Sequence, residues 1–203
     1  MESNPVTDTP GAAAGSKPLD FTAEIGEYVV LRLELEAFRG SARQLPAGFQ
    51  MADPAVRVAL THQEKTLLQR YFRHWKGPHR GRLKGWRADS PILVTKDGNL
   101  VAGVYLCVAN EFDGDPAWGQ LHYAFMEPAC KGQGIYSVMF REAVERARRW
   151  GLRGLYLNSD RHQLPEVYER WGAVPWKRIA KAPVLPPKPS LWQRIFRTQG
   201  DRA

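Results

Sequence analysis

Two glycines, one residue apart, follow a lysine in the run Lys131-Gly132-Gln133-Gly134-Ile135-Tyr136. An apolar, strand-like run over residues 121–126 leads into it, and a long amphipathic helical pattern leaves it. A glycine-rich turn that opens a helix aims several unpaired backbone N–H groups at one spot, and the helix dipole adds partial positive charge there. Phosphate groups bind at such a place. His122 lies on the strand just before this loop, and a side chain with an ordinary pKa near 6.5 suits proton transfer at neutral pH. The carboxylates of Glu111 and Glu127 flank the same strand, and Asn158 and Tyr168 follow further along. Each also has a plain structural reading: a satisfied histidine in a half-buried strand, solvated loop carboxylates, a strand-end turn residue and a core-facing aromatic.

The elements that must position these residues show in the hydrophobic pattern. Across residues 27–38, Leu31, Leu33, Leu35 and Ala37 alternate with Arg32, Glu34 and Glu36, which predicts a strand with one wet face, a helix being the rival. Residues 45–51 suggest a second short strand. Asp53-Pro54 reads as a helix start, and Val56, Leu60, Leu67, Leu68, Tyr71, Phe72 and Trp75 recur at helical spacing, which gives one helix over 54–75 or two with a break near Thr61. Residues 91–95 and 100–108 are apolar runs separated by Lys96-Asp97-Gly98-Asn99, a hairpin signal because both central turn positions want positive φ. An acidic loop over 111–119 precedes a strand over 120–126, where alternation puts Leu121, Tyr123 and Phe125 on one face and Gln120, His122, Ala124 and Met126 on the other. Residues 132–150 read as a helix with Ile135, Val138, Met139, Val144 and Ala147 on one stripe, i,i+4 pairs Glu142–Arg146 and Glu145–Arg149, and a stop at Gly151. A short strand over 155–158, a helix from Pro165 to Trp171 stopped by Gly172, and a strand over 174–179 complete the core.

The ends differ in composition. Residues 1–20 are rich in Pro, Ala, Gly, Ser and Thr and read as a disordered tail, residues 21–182 as the folded domain, and residues 183–203 as a Pro-rich linker with a basic amphipathic tail. A net charge of +8 favours anionic partners, and residues 73–87 interleave Arg, Lys and His with Trp75 and Trp86. Two cysteines, Cys107 and Cys130, make neither a disulfide framework nor a metal motif. No stretch approaches a membrane span and the start lacks a secretory pattern, so the expectation is a cytoplasmic protein without a structural metal.

The order of hairpin, strand, glycine loop, long helix, strand, helix and strand over residues 91–179 resembles the GCN5-related N-acetyltransferase (GNAT) superfamily. That family's acyl-CoA loop reads Arg/Gln-x-x-Gly-x-Gly/Ala, here Lys131 through Tyr136 after Met126-Glu127-Pro128, and its later helix often ends Tyr-Glu-x-x-Gly, here Tyr168-Glu169-Arg170-Trp171-Gly172. Two positions depart: Lys131 replaces Arg or Gln, and Tyr136 replaces the last small residue. The resemblance implies an α/β fold: a mixed, mostly antiparallel twisted sheet with flanking helices, and the glycine-rich loop opening the central helix. It implies acetyl-CoA as co-substrate, with the backbone N–H groups of Gln133, Gly134, Ile135 and Tyr136 around the pyrophosphate and Gly132 shaping the turn. Lys131 adds charge, and the backbone of Phe125 and Met126 pairs with the pantetheine arm. Asn158 bonds pantetheine or substrate.

The implied reaction is direct attack of a primary amine on the thioester. It needs a base, for which His122 leads with Glu127 and Glu111 as rivals, and an acid for the thiolate, for which Tyr168 leads. The acceptor expected is a small, anionic or sugar-like amine, with protein or peptide amines as the competing class. Rival readings are a non-catalytic CoA-binding or partner-binding domain and, less favoured, a nucleic-acid-binding module. A homodimer and peripheral membrane contact through the C-terminal tail are compatible with the sequence.

Overall fold

The computed structural model describes residues 27–40, 43–52, 57–71, 85–159 and 165–180. The expected tails, the Asp53-Pro54 helix start and most of the basic 73–87 stretch lie outside them. Seven strands form one sheet: β1 (Glu27–Glu34), β2 (Phe49–Met51), β3 (Pro91–Lys96), β4 (Asn99–Cys107), β5 (Trp118–Met126), β6 (Gly154–Ser159) and β7 (Val174–Ala180). Their spatial order is β2-β3-β4-β5-β6-β1-β7. Every pairing is antiparallel except β5 with β6. Among the described residues three α-helices flank the sheet: α1 (Arg57–Tyr71), α2 (Ile135–Arg149) and α3 (Pro165–Arg170).

The hairpin between β3 and β4 forms where the sequence places it, with Asp97 at φ 50° and Gly98 at φ 78°, the positive values its two-residue turn requires. The β1 segment is a strand, not a helix, and its second face is wet only toward its end: Val30 is buried, Arg32 half-buried and Glu34 exposed. It lies between β6 and β7, so Val29, Leu31 and Leu33 pack under α2 while Val30 is equally buried on the other face. The strand ends at Glu34, earlier than expected, in a 3-10 turn over Leu35–Ala37. Strand β2 is only three residues long, and α1 runs through Thr61 without a break.

One face of the sheet carries α2 and α3 over Val94, Ala102, Val104, Leu106, Leu155 and Leu157; the other carries α1 over Leu93, Tyr105 and Phe125. Burying each such aliphatic side chain stabilises the fold by about 1.5–3 kcal/mol. Helix α2 begins at Ile135, three residues later than its hydrophobic pattern suggests, and Gly151, at φ 74°, closes it. The Glu142–Arg146 pair forms at 2.6 Å. Glu145, however, pairs with Arg148 at 2.6 Å while Arg149 reaches Glu142 at 3.2 Å. Arg146 is itself buried; its Nη1 donates to the Pro91 carbonyl at 2.9 Å and to that of Asp89, so it pins α2 to the start of β3.

Candidate active site

Strands β5 and β6 are paired only through Trp118–Gly154, Gly119–Leu155 and Gln120–Tyr156. Beyond Gln120 they part: β5 continues beside β4 alone, and β6 beside β1. The sheet therefore opens between them, and β5 presents an edge toward the gap. A β-bulge lies on this edge. Gly103 pairs with Phe125 and Tyr105 with His122, so β5 has one residue more than β4 here, and Tyr123 takes φ 48°. The bulge breaks the expected alternation: Leu121 packs on the α2 side, while Tyr123 and Phe125 both pack on the α1 side. Tyr105 and His122 are cross-strand partners and so share a face; His122, half-buried, lies on the α1 side with its ring 6.0 Å from that of Tyr123.

The glycine loop sits at the end of β5. A 3-10 turn over Pro128–Cys130 leads to Gly132 at φ 76° and Gly134 at φ 78°, conformations that cost a residue with a Cβ about 1–2 kcal/mol. Gly134 is the N-cap of α2 and makes no side-chain cap, so no side chain of its own covers the first-turn N–H groups of the helix. Gln133 turns its amide back to the Ala129 carbonyl at 3.0 Å, and Lys131 is exposed. Arg43, from the β1–β2 connection, supplies a cation the sequence did not point to: a methyl group on Gly134 would lie 3.2 Å from its Nη1. Nothing local marks Arg43, because the contact joins segments far apart in the chain. Ahead of it, Arg141 donates to the Gly40 carbonyl at 3.3 Å and fixes that connection on α2.

The other candidates are placed unequally. Tyr168 is buried among Phe140 and Trp171, and its hydroxyl lies 2.9 Å from that of Tyr136, which brings it to the first turn of α2. The Tyr136 ring points neither into the loop nor along the outer face of the helix; it packs against Phe140 and Trp171. Asn158 is near the end of β6, beyond the point where β5 departs, and its Oδ1, like Ser159 Oγ, is buried with no partner among the described residues. Phe125 is buried and stacks on Tyr71, whose hydroxyl donates to the Met126 carbonyl at 2.8 Å. Glu127 is held by Arg70 at 2.7 Å, and both contacts come from the last turn of α1. Neither Arg70 nor Tyr71 was singled out by the sequence as a site residue, where they read as ordinary helix residues.

On the α1 side of the opening, the loop after β4 is built around buried Asn110. Its Oδ1 accepts from the N–H groups of Phe112, Asp113 and Gly114, and its amide donates to the carbonyls of Asp115 and Trp118. An asparagine ahead of an acidic, glycine-containing loop is the one sequence signal that could have revealed this. The loop ties Glu111 to β5 through its N–H and Gln120 Oε1, 3.0 Å apart. Burial, with Glu111 second, raises the pKa of Tyr28 and Tyr123 and pushes the Cys107 thiol up to about 12. Trp118 is fully buried, with the Arg32 guanidinium 4.0 Å from its ring centroid, and is part of the scaffold. Among the described residues no group of three or more His, Cys, Asp and Glu side chains could hold a metal ion.

The glycine-rich loop that opens α2 after β5 agrees with the family pattern, and the family model described as Acetyltransferase (GNAT) family matches residues 61–173, more than half the chain. The chain belongs to the GNAT acetyltransferase family. Its fold is that of solved GNAT structures. A GCN5-related N-acetyltransferase from Sphaerobacter thermophilus aligns with TM-score 0.56 at 16% identity, covering 75% of this chain and 49% of that one. One from Kribbella flavida aligns with TM-score 0.50 at 17% identity, covering 74% and 55%. A glucosamine N-acetyltransferase region of a fungal multi-domain β-N-acetylglucosaminidase aligns with TM-score 0.52 at 16% identity, covering 76% and 20%. The chain thus spans about half the length of the first two and about a fifth of the third. No curated protein matches it. GNAT membership makes acyl transfer the general chemistry and acetyl-CoA the family's usual co-substrate. No helix among the described residues is long and apolar enough to cross a membrane.

Proposed function

We propose that this chain transfers an acetyl group from acetyl-CoA to the primary amine of a small molecule by direct attack. The observation that carries the proposal is the divergence of β5 from β6 immediately ahead of the uncapped start of α2. The residues there fit the co-substrate. Its pyrophosphate suits the N–H groups of Gln133, Gly134, Ile135 and Tyr136, with Lys131 and Arg43 as cations. The edge of β5 at Phe125 and Met126 suits its amide-bearing arm, and Asn158 Oδ1 and Ser159 Oγ are buried atoms with no hydrogen-bond partner among the described residues. The Met126 carbonyl already accepts from Tyr71, so the arm would share that oxygen's second lone pair or pair elsewhere on the strand.

In this reading His122 removes the proton from the attacking ammonium, on the α1 side of the sheet, and Tyr168 protonates the departing thiolate on the α2 side. The Arg70 ion pair makes Glu127 the weaker base candidate. Glu111, exposed beside Tyr28 and Tyr123, is placed to attract an ammonium toward the opening. The basic stretch 73–87 motivates an anionic or sugar-like acceptor, so amino sugars head the panel to be tested. A non-catalytic CoA-binding reading draws on one observation, the tyrosine at 136 where the family motif has a small residue.

Two measurements separate these readings. Thiol release from acetyl-CoA is followed against a panel of amino sugars, polyamines, amino acids and peptides, and CoA binding is followed by thermal shift. Amine-dependent release supports the proposal; a CoA shift without release on any amine supports the non-catalytic reading; no CoA shift refutes both.

A further inference from the structure

The tyrosine at 136 has a definite place and a definite partner. Its ring lies within an aromatic group, with centroids 6.2 Å from Phe140, 6.3 Å from Tyr168 and 6.0 Å from Trp171. Its hydroxyl oxygen is 2.9 Å from that of Tyr168, a bond that ties the first turn of α2 to α3. Phenylalanine would fill the same space, and burying a hydroxyl costs free energy that only its hydrogen bond offsets. Two hydroxyls placed together beside the rings of Phe140 and Trp171 therefore call for a reason beyond packing.

We propose that Tyr136 is a positioning residue for the proton that leaves Tyr168: its hydroxyl donates to the Tyr168 oxygen, directs the Tyr168 proton toward the departing thiol, and holds the phenolate that remains. The inference rests on the reading of Tyr168 as the acid. As the tetrahedral centre collapses, the carbon–sulfur bond breaks and its electron pair goes to sulfur. The Tyr168 O–H proton moves to that sulfur, leaving a thiol and a Tyr168 phenolate, which keeps the hydrogen bond from Tyr136. The ammonium gives up one proton to the base before attack and a second as the tetrahedral centre collapses to the amide; both leave to water, and water returns one to Tyr168, so the cycle closes with amide, thiol and one released proton. Burial, and then the adjacent Tyr168 oxygen, raise the pKa of Tyr136 well above the ordinary tyrosine value. Tyr136 thus remains a phenol throughout, with a proton to share and none to lose.

The test uses the full chain and the variants Tyr136→Phe, Tyr168→Phe and both together, with the best amine from the panel. The expected pattern is a kcat about 100-fold lower in Tyr168→Phe, and about 10-fold lower in Tyr136→Phe with KM for acetyl-CoA within about twofold, while the double variant is no slower than Tyr168→Phe alone. Loss of the donated bond disfavours the phenolate, so the basic limb of the pH–rate curve moves up by about one pH unit in Tyr136→Phe. A merely structural Tyr136 would leave that limb in place. A readout independent of turnover is NMR titration of Tyr168 in protein labelled with 13C at tyrosine Cζ, where Tyr136→Phe raises its midpoint by the same amount. An unmoved midpoint overturns the inference, as does a Tyr136→Phe loss that persists in the Tyr168→Phe background. If Tyr168→Phe leaves kcat unchanged, the acid assignment itself fails, and that result is distinct from the other two.

Discussion

Replacing Gly134 with alanine isolates what the loop backbone contributes. At φ 78° an alanine costs about 1–2 kcal/mol, and its more restricted unfolded chain returns about 0.4–1 of that, leaving a net loss of about 1 kcal/mol. For a domain of this size that is a fall in Tm of about 2–4 °C. The added methyl would also stand 3.2 Å from Arg43 Nη1 and 3.4 Å from its Cδ, but these belong to a flexible, exposed side chain that can swing away. Gly98 is the control: it has the same φ of 78°, nothing within 4 Å of its missing Cβ, and a place in the remote β3–β4 turn. Gly98→Ala should lose that stability, and Gly134→Ala should lose the same if its loop keeps the left-handed conformation and less if the loop relaxes. They should part company on ligand. If the loop of Gly134→Ala relaxes around the added methyl, binding must restore the strained conformation, and about 1–2 kcal/mol raises the Kd for CoA by about 5–30-fold. Gly98→Ala should leave Kd unchanged. Thermal unfolding and calorimetric titration with CoA measure both quantities. Equal Kd values for the two variants, together with a smaller stability loss in Gly134→Ala, would show that the loop's left-handed geometry does not form the CoA site.

Three further outcomes follow from named contacts. Arg43→Ala should weaken CoA binding about 2–5-fold and make it less sensitive to salt between about 50 and 300 mM, since an exposed cation contributes at most about 1 kcal/mol there; titration at both ionic strengths measures it. Arg146→Ala strands the Asp89 and Pro91 carbonyls and leaves Glu142 with Arg149, and should cost about 3 kcal/mol in urea unfolding, more than Arg149→Ala, whose guanidinium is exposed. Cys107, with its thiol pushed up to about 12 by burial, should resist a thiol reagent at about pH 8 until the protein unfolds. The unfolded thiol ionises near pH 8.5–9 and the folded one does not, so the unfolded state binds fewer protons in between. Stability should fall as pH rises from about 9 toward 12, and the part due to Cys107 should vanish in Cys107→Ala, as pH-dependent urea midpoints will show.

What was legible in the sequence was local. The β3–β4 hairpin and α2 follow from turn chemistry and period within a short stretch of chain, and so did the glycine loop. What was not legible depends on residues far apart in the chain. The alternation in β1 was read correctly as a strand, but its second face is wet only toward Glu34, and nothing in residues 27–34 says that the strand will be inserted between β6 and β7. The bulge at Tyr123 was hidden for another reason: the run Leu121 to Met126 alternates well enough to be read straight, and only the pairing with β4 reveals the extra residue. Arg43, Arg70 and Tyr71 enter the site through tertiary contacts alone.

The bulge also bears on how the proposed reaction could divide its protons. In a flat strand, His122 and Met126 would lie on one face, and the loop would leave β5 from that same face. With the extra residue, His122 stays on the α1 side with Tyr105, while Met126 packs with the core on the α2 side, where Tyr136 and Tyr168 also lie. The base and the acid of the proposed mechanism are then on opposite faces of the sheet, joined only through the gap where β6 has turned away from β5. An acceptor entering beside Glu111 and a thioester entering beside Tyr168 would meet in that gap without competing for one pocket. The argument exposes itself at Ala124, the next residue of the bulge. Proline there locks φ near −65° and removes one N–H from the edge facing the gap or from β4, so Ala124→Pro should lower kcat by at least about 10-fold. Ala124→Ser, which keeps the N–H and any φ that alanine can adopt, should stay within about twofold of the parent. Equal activity in the two variants, each checked for a retained CoA thermal shift, would mean that the edge of β5 at the bulge takes no part in the chemistry.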